Sequence, residues 1–112
     1  VNRSDPRLEE LCRLSAALRA TALARLAAAN AELNRTEAEL EGLAAARQGQ
    51  AIGDIAMLAA SGSARALWLA ARRRALSSEL ELAQARRAAC AQEARRAVGR
   101  AQAIERLVQK GR

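Results

Sequence analysis

The chain contains no histidine, tyrosine or phenylalanine, and among its 112 residues there is one tryptophan, one proline and one methionine. Without histidine, neither a Ser–His–Asp triad nor a His-based acid–base pair can be built. The two cysteines, Cys12 and Cys90, are far apart and form no CxxC, so a zinc site has neither its thiols nor its imidazoles. Carboxylate-only catalysis would need acids converging in a pocket, which a thin helical structure does not offer. The expectation is a chain with no enzymatic activity, no cofactor and no metal. No apolar run approaches ~18 residues, so no membrane-spanning helix is expected. The opening VNRSDPRLEE has no apolar core of a signal peptide, and Val1 in place of Met points to a processed or trimmed start. Two isolated cysteines in a Cys-poor chain suit a reducing cytoplasm.

What the chain has instead is alanine, about a quarter of all residues, together with arginine, glutamate and leucine. This is helix-forming composition with too little bulky apolar mass for a thick core. It suits thin contacts between two helices. The net charge is +7, unevenly placed along the sequence. Residues 1–56 sum to −1 and residues 57–112 to +8, and Lys110 is the single lysine. The second half is where a negative partner would be felt. A GC-rich genome is the simplest account of the choice of Arg over Lys.

Asp5-Pro6 opens a helix well, because Asp caps free N–H groups and Pro at the first helical position forfeits no hydrogen bond. No strong breaker follows until Gln48-Gly49. Leu8, Leu11, Ser15, Leu18, Ala22, Leu26, Ala29, Leu33, Thr36, Leu40 and Leu43 step by threes and fours, a heptad seam with one stutter near Ala22. A second helix is expected from Ser63 to about Lys110. Its seam is Leu69, Arg73, Leu76, Leu80, Ala83, Arg87, Cys90, Ala94, Ala97, Ala101, Ile104 and Val108. The fold class is therefore all-α: two long helices, about 6–48 and 63–110, forming an antiparallel coiled-coil hairpin closed by a tip at 49–62. Pairing flush at the loop gives residue numbers summing to about 113, which sets Glu39 and Glu41 against Arg72, Arg73 and Arg74 and keeps Cys12 out of reach of Cys90. A helix swapped into a dimer or four-helix bundle is the alternative topology.

Two regions are candidate contact sites. The tip carries Ile52, Ile55, Met57 and Leu58, with Trp68 nearby. These residues either fold onto Trp68 to close the hairpin or form an exposed apolar contact. The second region surrounds Gly99. A glycine in a helix interior costs roughly 1 kcal/mol relative to alanine, and Ala97 and Ala101 on the seam direct Gly99 away from the partner helix. Its outer stripe also holds Gln92, Arg95, Arg96, Arg100 and Arg106. Gly99 is then either neutral drift on a solvated face or part of a basic docking face where a partner backbone comes close.

A basic helix raises nucleic acid first, but there is no aromatic platform for stacking bases and no short recognition helix. The apolar face is too narrow for a membrane-surface helix. WLAARRRALSSEL after the tip and ARRAVGRAQAIERL near the C-terminus, on a basic pair of long antiparallel helices, resemble the FliJ-like flagellar export proteins and the YscO-like stalk proteins of type III secretion. The resemblance covers the whole chain as architecture. It implies a non-enzymatic cytoplasmic stalk or adaptor that binds an export ATPase ring, an export gate or chaperones through its helix faces. An RNA- or polyanion-binding hairpin, and a structural coiled coil that oligomerises, are the alternatives.

Overall fold

The computed structural model describes the backbone of residues 5–52 and 55–111, and the side chains of residues 5–47, 62 and 64–111. Two helices make up the fold, α1 (Pro6–Ile52) and α2 (Ile55–Lys110), an all-α helical hairpin with no strand among the described residues. The start of α1 follows from its sequence. The Asp5 Oδ1 accepts a hydrogen bond from the Arg7 N–H at 3.0 Å. The Asp5 carbonyl takes the N–H groups of Leu8 and Glu9, each at 3.1 Å. Both helices run further toward the tip than 48 and 63, the bounds expected from Gly49 and Ser63. A lone glycine costs about 1 kcal/mol, which the alanines, glutamines and leucines around Gly49 and Gly62 offset. Gly62 also has nothing within 4 Å of the position a Cβ would take.

The chain divides into two compact units. Unit 1 comprises residues 1–30 and 86–112, and unit 2 comprises residues 31–85. In unit 1 the helices run antiparallel, because Arg25 pairs with Glu93 at 2.9 Å while the later Asn30 accepts from the Nε of the earlier Arg87 at 2.8 Å. The paired numbers sum to 118 and 117. In unit 2, Arg72 and Glu39 pair at 3.0 Å, a sum of 111. These values bracket the 113 expected for a flush loop, within the few residues that an Arg side chain can span along the axis.

The seam of α1 differs from the expected one in an instructive way. Leu8, Ser15, Ala22, Ala29 and Thr36 are buried, and Cys12, Arg19, Leu26, Leu33, Leu40 and Leu43 are half-buried. These positions alternate steps of four and three without a break, so the stutter near Ala22 is absent. Cys12 and Arg19 occupy the seam in place of Leu11 and Leu18, which are 48% and 47% exposed. Periodicity outweighs hydrophobicity here. A single Leu at an off-phase position cannot turn the helix, and a half-buried Arg19 suits a seam position because an arginine stem can cover apolar surface while its head reaches water. In heptad letters, with Cys12, Arg19 and Leu26 at a, Leu11, Leu18, Arg25 and Glu39 occupy g and Leu14 occupies c.

In α2, Leu76, Ala83, Ala94, Ala97 and Ala101 are buried, and Leu69, Leu80, Cys90, Ile104 and Val108 are half-buried. Arg73 and Arg87, expected on the seam, are exposed; their a-type positions place the guanidinium heads in solvent. The core of unit 1 is small, gathering Ala22, Ala94 and Ala97 with Leu26 packed beside them. The buried hydroxyls are satisfied within their own helix: Ser15 donates to the Cys12 carbonyl and Thr36 to the Glu32 carbonyl, both at 3.1 Å. Among the described residues no buried side-chain N or O lacks a partner.

Candidate interaction surfaces

The α2 face singled out by Gly99 is solvated throughout: Gln92, Arg95, Arg96, Gly99, Arg100 and Arg106 are all exposed. With Ala94, Ala97 and Ala101 buried, Gly99 occupies the f position on the side of α2 directed away from the seam. Nothing lies within 4 Å of the place its Cβ would occupy, so packing within this chain gives no reason for the glycine. Among the described residues, Arg95, Arg96 and Arg106 meet no carboxylate. Arg100 differs from its neighbours. It stands at g rather than on the outer stripe, and its Nε leans back on the Arg96 carbonyl at 3.4 Å.

Charge and geometry coincide in unit 1. Its residues carry thirteen Lys or Arg against five Asp or Glu, a net +8, while unit 2 carries six against seven, a net −1. The excess expected in the second half of the sequence is therefore concentrated in one compact unit, built from the start of α1 and the end of α2.

An apolar groove in unit 1 was not legible in the sequence. Leu11, Leu14, Ser15 and Leu18 from α1 face Ala97, Arg100 and Ile104 from α2 around an open space of about 160 Å³. That volume lies below the several hundred cubic ångströms of a small-molecule site. Leu14, at c, is 56% exposed, and Leu107, at g on α2, is exposed as well. The missed signal was the phase of the heptad. Once Cys12 and Arg19 hold the a positions, Leu11, Leu14 and Leu18 fall on the flank of the seam and stay about half exposed. A second, wider depression of about 300 Å³ at Leu8, Glu9, Cys12, Arg13 and Val108 includes an acid.

Of the tip candidates, the side chains of Ile52, Ile55, Met57 and Leu58 lie outside the described residues. Trp68, the residue they would cover if they closed the hairpin, is 61% exposed, next to the exposed Leu67. Cys12 and Cys90 are both free and half-buried, as the register demands. No cluster of three metal-ligating side chains and no helix able to cross a membrane occurs among the described residues. No family model matches the chain, and neither does any curated protein or solved structure.

Proposed function

We propose that this chain is a non-enzymatic adaptor or stalk that works in the cytoplasm by presenting unit 1 to a protein partner. The observation that carries this reading is the +8 charge of unit 1 together with Arg95, Arg96 and Arg106, exposed and without carboxylate partners among the described residues. A hairpin whose own pairing used these cations would leave nothing for a partner. Here the basic stripe flanks an open Gly99, so a partner backbone can approach α2 closely. Exposed arginines hold carboxylates in fixed, two-pronged geometry, which suits an acidic protein surface. In its specific form the reading is a component of a flagellar or type III export apparatus, bound to an export ATPase ring, gate or chaperone. The support for that form is the resemblance carried by WLAARRRALSSEL and ARRAVGRAQAIERL on a two-helix architecture.

The test is the triple variant Arg95→Gln, Arg96→Gln and Arg106→Gln, used beside the wild type to capture partners from native lysate at two salt concentrations. The expected result is a protein captured by the wild type and lost by a folded triple variant. If the variant retains every wild-type partner at low salt, the basic-face reading fails. If capture is dominated by nucleic acid and falls steeply and linearly with the logarithm of salt, the face serves a polyanion instead.

A further inference from the structure

We propose that the groove of unit 1 lined by Leu11, Leu14, Leu18 and Ile104 docks an acidic amphipathic helix of a protein partner, with Arg100 as its polar anchor. This deepens the adaptor reading above and rests on it, but it names a different surface and a different recognition chemistry. The groove runs between two antiparallel helices. Its leucines on α1 recur at steps of three and four across two turns, roughly 10 Å of axis. That spacing matches the i, i+3/i+4, i+7 anchors of a helix laid into an apolar groove.

Charge decides what that helix must carry. The c and g positions of both helices in unit 1 form the rims of this groove. They hold Arg7, Arg25, Arg86, Arg96, Arg100 and Lys110, and one acid, Glu93. Glu93 is already engaged by Arg25 at 2.9 Å. The rim is therefore cationic with no free carboxylate among its described residues, and Arg100, which lines the groove itself, meets none. The other depression in this unit lacks that pattern, since Glu9 lines it. An occupant with an apolar stripe and glutamates beside it would cover the leucines and pair the rim. A second copy of this chain would also offer leucines, but it would bring another net +8 against the first, and like charges oppose association. A nucleic acid would use the cations and leave Leu11, Leu14 and Leu18 exposed to water.

The experiment uses the full chain and a synthetic 18-residue helical peptide with leucines on one face and glutamates flanking them. One control peptide has the same composition shuffled to destroy the apolar face, and a second has lysine for glutamate. Binding is read by fluorescence anisotropy and mapped by methyl NMR. The expected result is that the acidic amphipathic peptide binds and the two controls do not. The methyls of Leu11, Leu14, Leu18 and Ile104 shift. Leu14→Gln/Leu18→Gln weakens binding at least ten-fold and Arg100→Gln several-fold, each with unchanged helix content by circular dichroism. The proposal is overturned if the peptide fails to bind, or if the double Leu variant binds it like the wild type. Binding that leaves the methyls of Leu11, Leu14, Leu18 and Ile104 unmoved and is lost in Arg95→Gln/Arg106→Gln overturns the groove while leaving the basic-face reading standing. Sedimentation showing a dimer that the double Leu variant dissolves assigns the groove to a second copy, and displacement of the peptide by single-stranded RNA assigns the rim to a polyanion; either result also overturns it. Conversely, loss of lysate partners only in the Leu variant, and not in the triple Arg variant, would sink the basic face and keep the groove.

Discussion

The two compact units are cut from the same pair of helices, yet they spend their side chains differently. Unit 2 buries Leu76 almost completely, at 1% exposure, beside half-buried Leu33, Leu40, Leu43, Leu69 and Leu80. Its g position at Glu39 pairs across to Arg72, and its charges nearly cancel. Unit 1 has alanines at its centre, leucines at three of its g positions, and eight more cations than anions. In unit 2 large apolar groups lie between the helices and opposite charges meet. In unit 1 Leu8 and Leu26 serve the seam, while Leu11, Leu14, Leu18 and Leu107 and the arginines Arg95, Arg96 and Arg106 are on the outside. The lesson is that a hairpin can hold one stretch together by its own seam while leaving another stretch's apolar area and charge available for contact. Alanine at the seam makes this possible, because small side chains bring two helices close without using the leucines beside them.

The sharpest way to break the comparison is at the leucines. Leu76→Ala in unit 2 removes a fully buried side chain and should cost about 2–5 kcal/mol. Leu14→Ala in unit 1 removes a mostly exposed one and should change stability by about 0.5 kcal/mol or less. Urea unfolding of both variants measures the contrast. Equal losses would mean that Leu14 supports the hairpin and is not held in reserve for a partner.

Steric room supplies the next test. Ala97 is 3% exposed and packs with Ala22 and Ala94. Ala97→Leu should push the helices of unit 1 apart and destabilise by about 1–3 kcal/mol, the usual cost of overpacking a tight core. Ala103→Leu, at an exposed position on the same helix, is the control and should be near neutral. A stabilised Ala97→Leu would show that the alanine seam of unit 1 has space to spare.

How far these contrasts could be read in advance depended on which physical signal carried them. Two helices, their antiparallel sense and the Glu39–Arg72 pairing followed from a 3.6-residue pattern and from charges set facing one another. The cap at Asp5-Pro6 followed from local chemistry. Leucine is the usual marker of a seam, so the expected α1 phase takes Leu11 and Leu18 where the structure has Cys12 and Arg19. Strict four-and-three spacing back from Leu26 would have found the true phase, and with it the exposed leucines. The helix bounds at the tip were placed by glycines, which shift a helix end only when nothing nearby favours the helix. Arg100 was grouped with Arg95 and Arg106 by sequence proximity, although one step along a helix turns a side chain by about 100°.

Gly99 gives a smaller effect. With nothing within 4 Å of its missing Cβ, Gly99→Ala should stabilise unit 1 by up to about 1 kcal/mol, raising the midpoint of thermal unfolding. The same variant in the lysate capture separates two explanations of the glycine. Lower partner capture with a stabler fold makes Gly99 a point of close approach. Unchanged capture leaves it as drift on a solvated face.

The smallest expected effect concerns the two cross-helix ion pairs, one in each unit. Arg25–Glu93 and Arg72–Glu39 are both solvent-exposed pairs at about the same distance, 2.9 and 3.0 Å, so each should contribute only a few tenths of a kcal/mol, up to about 1. Their surroundings differ. Removing Glu39 from a unit near neutrality costs that pair and little else. Removing Glu93 from a unit at +8 also takes away one of its five anions and leaves Arg25 among like charges. Glu93→Gln should therefore destabilise more than Glu39→Gln at low salt, and the difference should shrink as salt screens the longer-range repulsion within unit 1. Chemical denaturation in urea, which adds no ions, at two salt concentrations reads both variants on one scale. Equal losses at low salt, or a gap that widens with salt, would mean that the charge excess of unit 1 has no energetic consequence for its own folding.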